Sequence, residues 1–277
     1  MVSDKVLVSI IIPTFNSQSV IEKCLNSLKR QTYRHLEIIV VDNYSNDATR
    51  KIASRYGSLY SKGSERCTQR NFGATKAKGE FLFFIDSDME LESTVVEECV
   101  NEAVEKNTDA IIVPEVSVGE GFWTDCKALE RSCYINDSSI EAPRFFKKKA
   151  FLKLGGYDEN LIAAEDWDLS QRLKKSGFLV SRINSLIKHH EGKLSLKKTM
   201  IKKYRYGMTI SRYIRKHKEE SKQQFVLIRP CFLKSYKRLF KKPVVTAGMV
   251  VMKACEFAAG LWGMFVNKCF LGNKIKN

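Results

Sequence analysis

The stretch FFIDSDMELE (residues 83–92) closes an aromatic and aliphatic run with three carboxylates, Asp86, Asp88 and Glu90, at every second position. A buried strand does not normally end in like charges, because close carboxylates repel unless a cation or a proton lies between them. Oxygen ligands of this kind suit Mg²⁺ or Mn²⁺, which take one or two carboxylates and complete their shell with substrate phosphates. Taken alone, the pattern fits a solvated turn equally well.

The flanking chain places this strand in an alternating α/β pattern. Val6–Ile12 is a continuous apolar run stopped by Pro13, as in a strand buried on both faces. Ser17 can cap a following helix whose apolar positions are Val20, Ile21, Cys24, Leu25 and Leu28. Leu36–Val41 is a second such strand and ends in Asp42. A helix over 47–56, a short strand near Leu59, a helix over 65–78 and the strand 81–85 follow. The alternation predicts right-handed crossovers and a parallel sheet. Ligands bind such sheets at the carboxyl ends of the strands, so Asn16, Asp42 and Asp86 are expected to converge. Beyond Val113 the expected elements are a helix near 123–135, a strand at 144–146, a helix over 164–175 closed by Gly177, and a strand over 178–183 resuming at 186–188.

Charge divides the chain sharply. Of the net +16, residues 1–187 carry 25 Lys and Arg against 27 Asp and Glu, whereas residues 188–242 carry 18 against 3. The 277 residues allow one large domain and an appendage, and the basicity belongs to the appendage. The eight cysteines form no CxxC pair, which argues against a zinc site or a disulfide scaffold and for a reducing compartment. The N-terminal run carries Asp4 and Lys5 and no small-residue cleavage site, so it is read as a strand and not a signal peptide.

Four motifs in order, SIIIPTFN (9–16), IIVVDNYSNDAT (38–49), SERCTQRNFGATKAKGEFLFFIDSDM (64–89) and LGGYDENLIAAEDWDLSQRLKKSG (154–177), resemble a family 2 glycosyltransferase of the GT-A fold over roughly residues 5–190. The resemblance implies a Rossmann-like, mostly parallel sheet flanked by helices, and an inverting enzyme that uses a nucleotide-sugar donor. It implies that Pro13, Thr14 and Asn16 shape a loop around the nucleotide, and that Asp42 and Asn43 reach the base or ribose. Arg70 would contact the base or diphosphate, Asp86 the ribose and metal side, and Asp88 would be the main ligand of Mg²⁺ or Mn²⁺. Asn43 departs from the Asp that many members carry. The Gln-x-x-Arg-Trp motif of processive members does not follow Gln171-Arg172-Leu173, so one sugar per acceptor is expected.

In AEDWD, the resemblance makes Asp166 the catalytic base; Glu165 is read as an acceptor-binding or orienting neighbour, Trp167 as a residue at the acceptor and Asp168 as a helix residue. Carboxylates opening a helix are also stabilised by its dipole without any catalysis. An indole beside a carboxylate can, however, wall a sugar pocket and raise the base's pKa. The resemblance implies that a histidine near this position completes the metal shell, and imidazole suits Mn²⁺; of His189 and His190, His190 is taken as that ligand, with a half-buried or surface histidine in a basic stretch as the bland alternative.

Residues 243–267 are long enough for a bilayer of about 30 Å, but Lys253, Glu256, Gly260, Gly263 and Asn267 form a small and polar stripe on the helix. The preceding RPCFLKSYKRLFKKP (229–243) interleaves aromatics with Lys and Arg, as helices in an anionic headgroup layer do. Charges near the helix centre favour an in-plane helix over a spanning one, and the positive-inside bias favours the cytoplasmic face. Packing on the catalytic domain or an oligomer interface would also explain the helix. Nucleic acid is not expected, since no recognition module accompanies the basic run.

The expectation is therefore a catalytic domain over 1–192, a basic helical segment over 193–242 and a membrane-associating helix and tail over 243–277. The expected enzyme moves one sugar, from a UDP-sugar in preference to a GDP-sugar, to a hydroxyl of a lipid-linked glycan acceptor. A polyprenyl-phosphate sugar synthase is the alternative within the family, weakened by Glu90 at the third position of the expected Asp-x-Asp-x-Gln. Outside it stands a non-catalytic nucleotide-sugar-binding scaffold.

Overall fold

Strand β1 (Val8–Thr14) is buried along its whole length, and its alternating side chains feed two different cores. Val8, Ile10 and Ile12 enter one apolar cluster and Ile11 the other. In the computed structural model, which describes residues 6–226 and 229–271, the same division recurs on the strand that carries the acidic turn. There Phe81, Phe83 and Ile85 face the first cluster, and Leu82 and Phe84 the second. A strand with apolar side chains on both faces needs a helical layer on each side, and the helices supply it.

The first of two compact units comprises the chain up to Val116, Ala142–Glu159 and Glu165–His190. After β1 come α1 (Ile21–Lys29), β2 (Leu36–Asp42), α2 (Thr49–Ala53), β3 (Ser58–Ser61), α3 (Arg66–Lys76), β4 (Phe81–Phe84), β5 (Met89–Leu91), α4 (Val95–Glu105) and β6 (Ala110–Ile112). β7 (Glu115–Glu120) and α5 (Phe122–Ser132) lead toward the second unit, and the chain returns with β8 (Phe145–Lys147), α6 (Lys148–Lys153), α7 (Glu165–Lys175), β9 (Val180–Arg182) and β10 (Ile187–Lys193). Seven strands form one sheet in the order β3-β2-β1-β4-β8-β6-β9. Its pairs are parallel except where β8 runs against β4 and β6, so the sheet is mostly parallel, as expected. α1 and α4 cover the first core, and α3, α6 and α7 the second. Around Phe84 the rings of Phe151 and Tyr157 lie 4.9 and 5.2 Å away between centroids. Each such buried side chain contributes about 1.5–3 kcal/mol.

Several local expectations need adjustment. The helix expected over 47–56 is only Thr49–Ala53, because the 42–48 turn is tied down by side-chain bonds from Asp42 and Asp47. Ser17 supports α1 through its backbone carbonyl, which accepts from Val20 and Ile21 N–H, and not through its hydroxyl. The strand expected at 144–146 is Phe145–Lys147, and that expected at 186–188 extends to Lys193.

The second unit gathers Ser117–Glu141, Asn160–Ala164 and the chain from Glu191 onward. Residues 117–141 and 160–164, placed by the sequence with the catalytic domain, thus group with the tail. Its further helices are α8 (Leu196–Lys216), α9 (Lys218–Gln224), α10 (Pro230–Lys234), α11 (Tyr236–Phe240) and α12 (Pro243–Val266). α12 packs against α5 and α8. A Cβ on Gly207 of α8 would lie 2.1 Å from the Gly260 carbonyl oxygen, and one on Gly263 would lie 2.2 Å from that of Tyr204, so only glycine permits this crossing. The polar stripe of α12 turns into this packing. Lys253 Nζ lies 2.8 Å from Glu130 Oε1, and Lys127 Nζ 2.8 Å from Glu130 Oε2 and 3.3 Å from Glu256 Oε1. Lys203 Nζ stands 3.8 Å from Glu256 Oε2. Opposite the stripe, Val244, Val250, Val251, Leu261, Trp262 and Phe265 are exposed, as is Phe240 before the helix. Val245, by contrast, packs with Cys126, Leu129, Met249 and Met252. The helix from Pro243 to Cys269 is long and apolar enough to cross a membrane.

Candidate active site

Strands β2 and β4 flank β1 on opposite sides, and the connections leave in opposite directions there. The parallel register sets Thr14 beside Asp42 and Ile11 beside Phe84, so the three carboxyl ends share one edge at the switch point. Pro13 and Thr14 end β1 in the core, and the Thr14 hydroxyl is buried with no hydrogen-bond partner among the described residues. Asn16 adopts a left-handed conformation, φ 47°, and its Oδ1 accepts from Asn46 N–H at 3.1 Å. Asp42 is fully buried and accepts from Ser45 N–H, Ser45 Oγ and Arg50 Nη1 at 2.8, 2.6 and 3.1 Å. Asn43 donates from Nδ2 to the Ser64 carbonyl at 3.0 Å. Both side chains therefore shape the loops of this edge. Gln69, which the sequence reading passed over, donates to the Thr14 and Val41 carbonyls at 3.0 and 2.6 Å and clamps the two strand ends together.

The acidic turn after β4 is held by arginines. Arg70 is only 3% exposed and reaches two carboxylates: Nη2 donates to Asp86 Oδ1 at 2.6 Å and Nη1 to Glu165 Oε1 at 3.1 Å. Its guanidinium also lies 5.3 Å from the Tyr157 ring centroid. Arg144 Nη1 stands 3.7 Å from the second Asp86 oxygen. Burial alone would raise the Asp86 pKa, but Arg70 and then Arg144 outweigh it and hold the carboxyl well below the usual range. Asp86 is thus engaged on both oxygens, and the buried face of Arg70 serves the frame of the site.

Asp88 is different. Its Oδ1 is buried without a hydrogen-bond partner among the described residues, and its Oδ2 lies 3.2 Å from His189 Nε2. β10 pairs antiparallel with β5, His189 opposite Met89, and strand alternation sends neighbouring side chains to opposite faces. His190, chosen from the sequence as the metal ligand, therefore points away: its Nε2 lies 2.9 Å from Glu90, which Lys23 and Arg30 also approach at 3.5 and 3.1 Å. The imidazole at Asp88 belongs to His189. Among the described residues, no three His, Cys, Asp or Glu side chains gather as a ready metal cluster. A two-donor set with an orphaned carboxylate oxygen still fits a hard cation that takes its other ligands from a diphosphate.

At the start of α7, Glu165 is buried on Arg70, and Asp166 accepts from Trp167 N–H at 2.8 Å. Burial, then the neighbouring charge of Glu165, pushes the Asp166 carboxyl up to about 6. Trp167 is half-buried. Asp168 is fully buried and accepts from Arg172 Nε at 2.8 Å, while Arg172 also binds the Leu154 and Gly156 carbonyls. That clamp fixes the helix opening against the 154–156 turn. Arg144, Glu115, Tyr157 and His189 were not singled out for these roles from sequence. The strand-opening arginine of PRFF (143–146), ahead of an apolar pair, was the available signal for Arg144.

Residues 9–157 match the sequence model of Glycosyl transferase family 2. The uncharacterized glycosyltransferase EpsJ of Bacillus subtilis is 30% identical over 149 residues, 51% of this chain and 40% of that one. An uncharacterized glycosyltransferase of Haemophilus influenzae is 27% identical over 197 residues, 64% of this chain and 66% of that one. The chain thus spans about two fifths of the length of EpsJ. Among solved structures, the mannosyltransferase PcManGT from Pyrobaculum calidifontis, in complex with GDP-Man and Mn²⁺, gives a TM-score of 0.68 at 16% identity, covering 95% of this chain and 87% of that one. Staphylococcus aureus TarS 1–349 with UDP-GlcNAc gives 0.54 at 20% identity over 73% and 66%. The likeness to these structures is one of fold, the GT-A fold.

Proposed function

The chain belongs to glycosyl transferase family 2, and from that premise we propose that it is an inverting glycosyltransferase moving one sugar from a nucleotide-sugar to a hydroxyl of a lipid-linked acceptor. The observation that carries the reading is the buried Arg70 fork. It ties Asp86, two residues from Asp88 with its orphaned Oδ1, to Glu165, beside the raised carboxyl of Asp166. Donor side and base side are thereby held in one frame. Asp166 takes the acceptor hydroxyl's proton, and a carboxylate poised near 6 suits that task at neutral pH. The oxygen then attacks the anomeric carbon from the face opposite the leaving nucleoside diphosphate. Asp88 and His189 would hold Mg²⁺ or Mn²⁺, which supplies positive charge to the departing diphosphate. Asn16, Asp42 and Asn43 set the loops that receive the nucleotide, a UDP-sugar before a GDP-sugar, and Trp167 meets the acceptor. A panel of nucleotide-sugars with Mn²⁺ and membrane lipid extract, read as release of nucleoside diphosphate, tests the reading. One donor should turn over, and Asp88→Ala should weaken Mn²⁺-dependent nucleotide binding at least roughly tenfold. Unaltered turnover by Asp88→Ala in excess EDTA would refute the metal assignment.

The acceptor class rests on the second unit. The exposed row Val244, Val251, Leu261, Trp262 and Phe265 on α12, with Phe240 and the basic 188–242 segment, is composed for the cytoplasmic face of an anionic membrane. Charge attraction is screened within about 8 Å at physiological salt, whereas apolar burial persists. The full chain should therefore stay with anionic liposomes in high salt and leave them in detergent. Trp262→Lys with Phe265→Lys should release it at high salt. Cutting at Lys242 is a poor control, because α5 and α8 would lose their packing partner. A full chain that floats free of liposomes at low salt would remove the support for a lipid-linked acceptor.

A further inference from the structure

Glu115, the first residue of β7, has two partners on two oxygens. Its Oε1 accepts from Arg144 Nε, and its Oε2 lies 3.6 Å from Nδ1 of His189. The other nitrogen of His189, Nε2, faces Asp88 Oδ2 at 3.2 Å. Arg144 in turn approaches Asp86 at 3.7 Å. Five groups of alternating character, Asp88, His189, Glu115, Arg144 and Asp86, thus run from one end of the Asp-Ser-Asp turn back to the other. We propose that Glu115 is a positioning residue that orients His189 through Nδ1, so that Nε2 is presented, together with Asp88, to a divalent cation. The inference rests on the metal reading given above and adds to it the group that prepares the imidazole.

The chemistry follows from the two ring nitrogens. An imidazole can bind a cation only through an unprotonated nitrogen, so its proton must reside on the other one. A carboxylate facing Nδ1 stabilises the proton there and leaves the Nε2 lone pair toward Asp88. Histidine ligands regularly have such an outer partner, and its loss costs about 10–100-fold in metal affinity. The two oxygens of Glu115 serve different partners: Oε1 meets the Arg144 guanidinium, and Oε2 faces the imidazole. Glu115 is 18% exposed at its side chain, so solvent does not take over this role.

The bland account is that Glu115 merely neutralises Arg144, and the test separates the two. Mn²⁺ alone is titrated into the full-length protein and followed by the loss of the free-ion EPR signal. Glu115→Gln keeps an acceptor oxygen for Arg144 and should lower the melting temperature less than Arg144→Gln does, yet bind Mn²⁺ about 10–100-fold more weakly. Arg144→Gln breaks the structural pair but spares Glu115 and His189; it should lower the melting temperature more than the Mn²⁺ affinity. With Mg²⁺ in place, ¹⁵N NMR of the His189 ring should show Nδ1 protonated and Nε2 bare in the wild type. Glu115→Gln should need more Mg²⁺ to reach that state. If His189→Ala weakens Mn²⁺ binding while Glu115→Gln stays within twofold of wild type, the inference is wrong and the metal reading stands. Equal losses in Glu115→Gln and Arg144→Gln would reduce the effect to structure and also overturn it. Unchanged affinity in His189→Ala would remove His189 as a ligand, and the inference with it.

Discussion

Asp166→Asn should lower turnover by about 10²–10⁴-fold while leaving nucleotide-sugar binding in place. That range is the usual worth of a positioned general base, and the amide cannot take the acceptor's proton. The wild-type rate should fall as pH drops through about 6, where the carboxyl becomes protonated and its basicity is lost. Stability runs the other way. Because burial raises the folded-state pKa from 3.8 to about 6, the native state holds this proton more tightly than the unfolded chain does. The group's contribution therefore declines as pH rises between those values. At pH 7 Asp166→Asn should melt no lower than the wild type, so lost rate with retained stability marks a base. Rates that match the wild type with a hydroxyl acceptor would place the base elsewhere.

The second large effect is structural. Arg70→Met should destabilise the first unit by about 3–5 kcal/mol, because it strands the buried carboxylates of Asp86 and Glu165 without their shared cation. For a domain of this size that corresponds to a fall of roughly 6–20 °C in melting temperature. Arg70→Lys should recover part of the loss only, since one ammonium cannot reproduce a fork that reaches two carboxylates at once. Combining Arg70→Met with Asp86→Asn and Glu165→Gln removes the stranded charges and should restore most of the melting temperature, though not the activity. A single Arg70→Met variant that melts within about 2 °C of wild type would mean the fork holds nothing together.

The architecture was readable because a strand buried on both faces announces itself. The runs at 6–12, 36–41 and 81–85 stop at Pro13, Asp42 and Asp86, and parallel pairing brings those stops to one edge. What local pattern could not supply was the partner. Arg70 meets Glu165 across 95 residues, and nothing near either indicates the other. The choice between His189 and His190 depends on which face of β10 meets the acidic turn, a matter of register with β5 that the dipeptide His-His does not encode. Asp42 looked like a residue reaching outward to a ligand. Its oxygens also accept from Ser45 and Arg50, partners that a buried carboxylate needs. The polar stripe of α12 was visible by its spacing, but the cations and anions that receive it stand on α5 and α8.

That last arrangement sets a clock on biosynthesis. The ribosome releases α5, with Lys127, Glu130, Cys126 and Leu129, roughly 130 residues before α12 is finished. At about 5–20 residues per second the interval is on the order of ten seconds. Throughout it, the apolar and charged face of α5 waits without its covering helix, while the strands and helices of the first unit, complete by His190, can already condense. Until then Cys126 and Leu129 lack the Met249 and Met252 side chains they pack against in the finished fold. Completion of α12 ends this exposure.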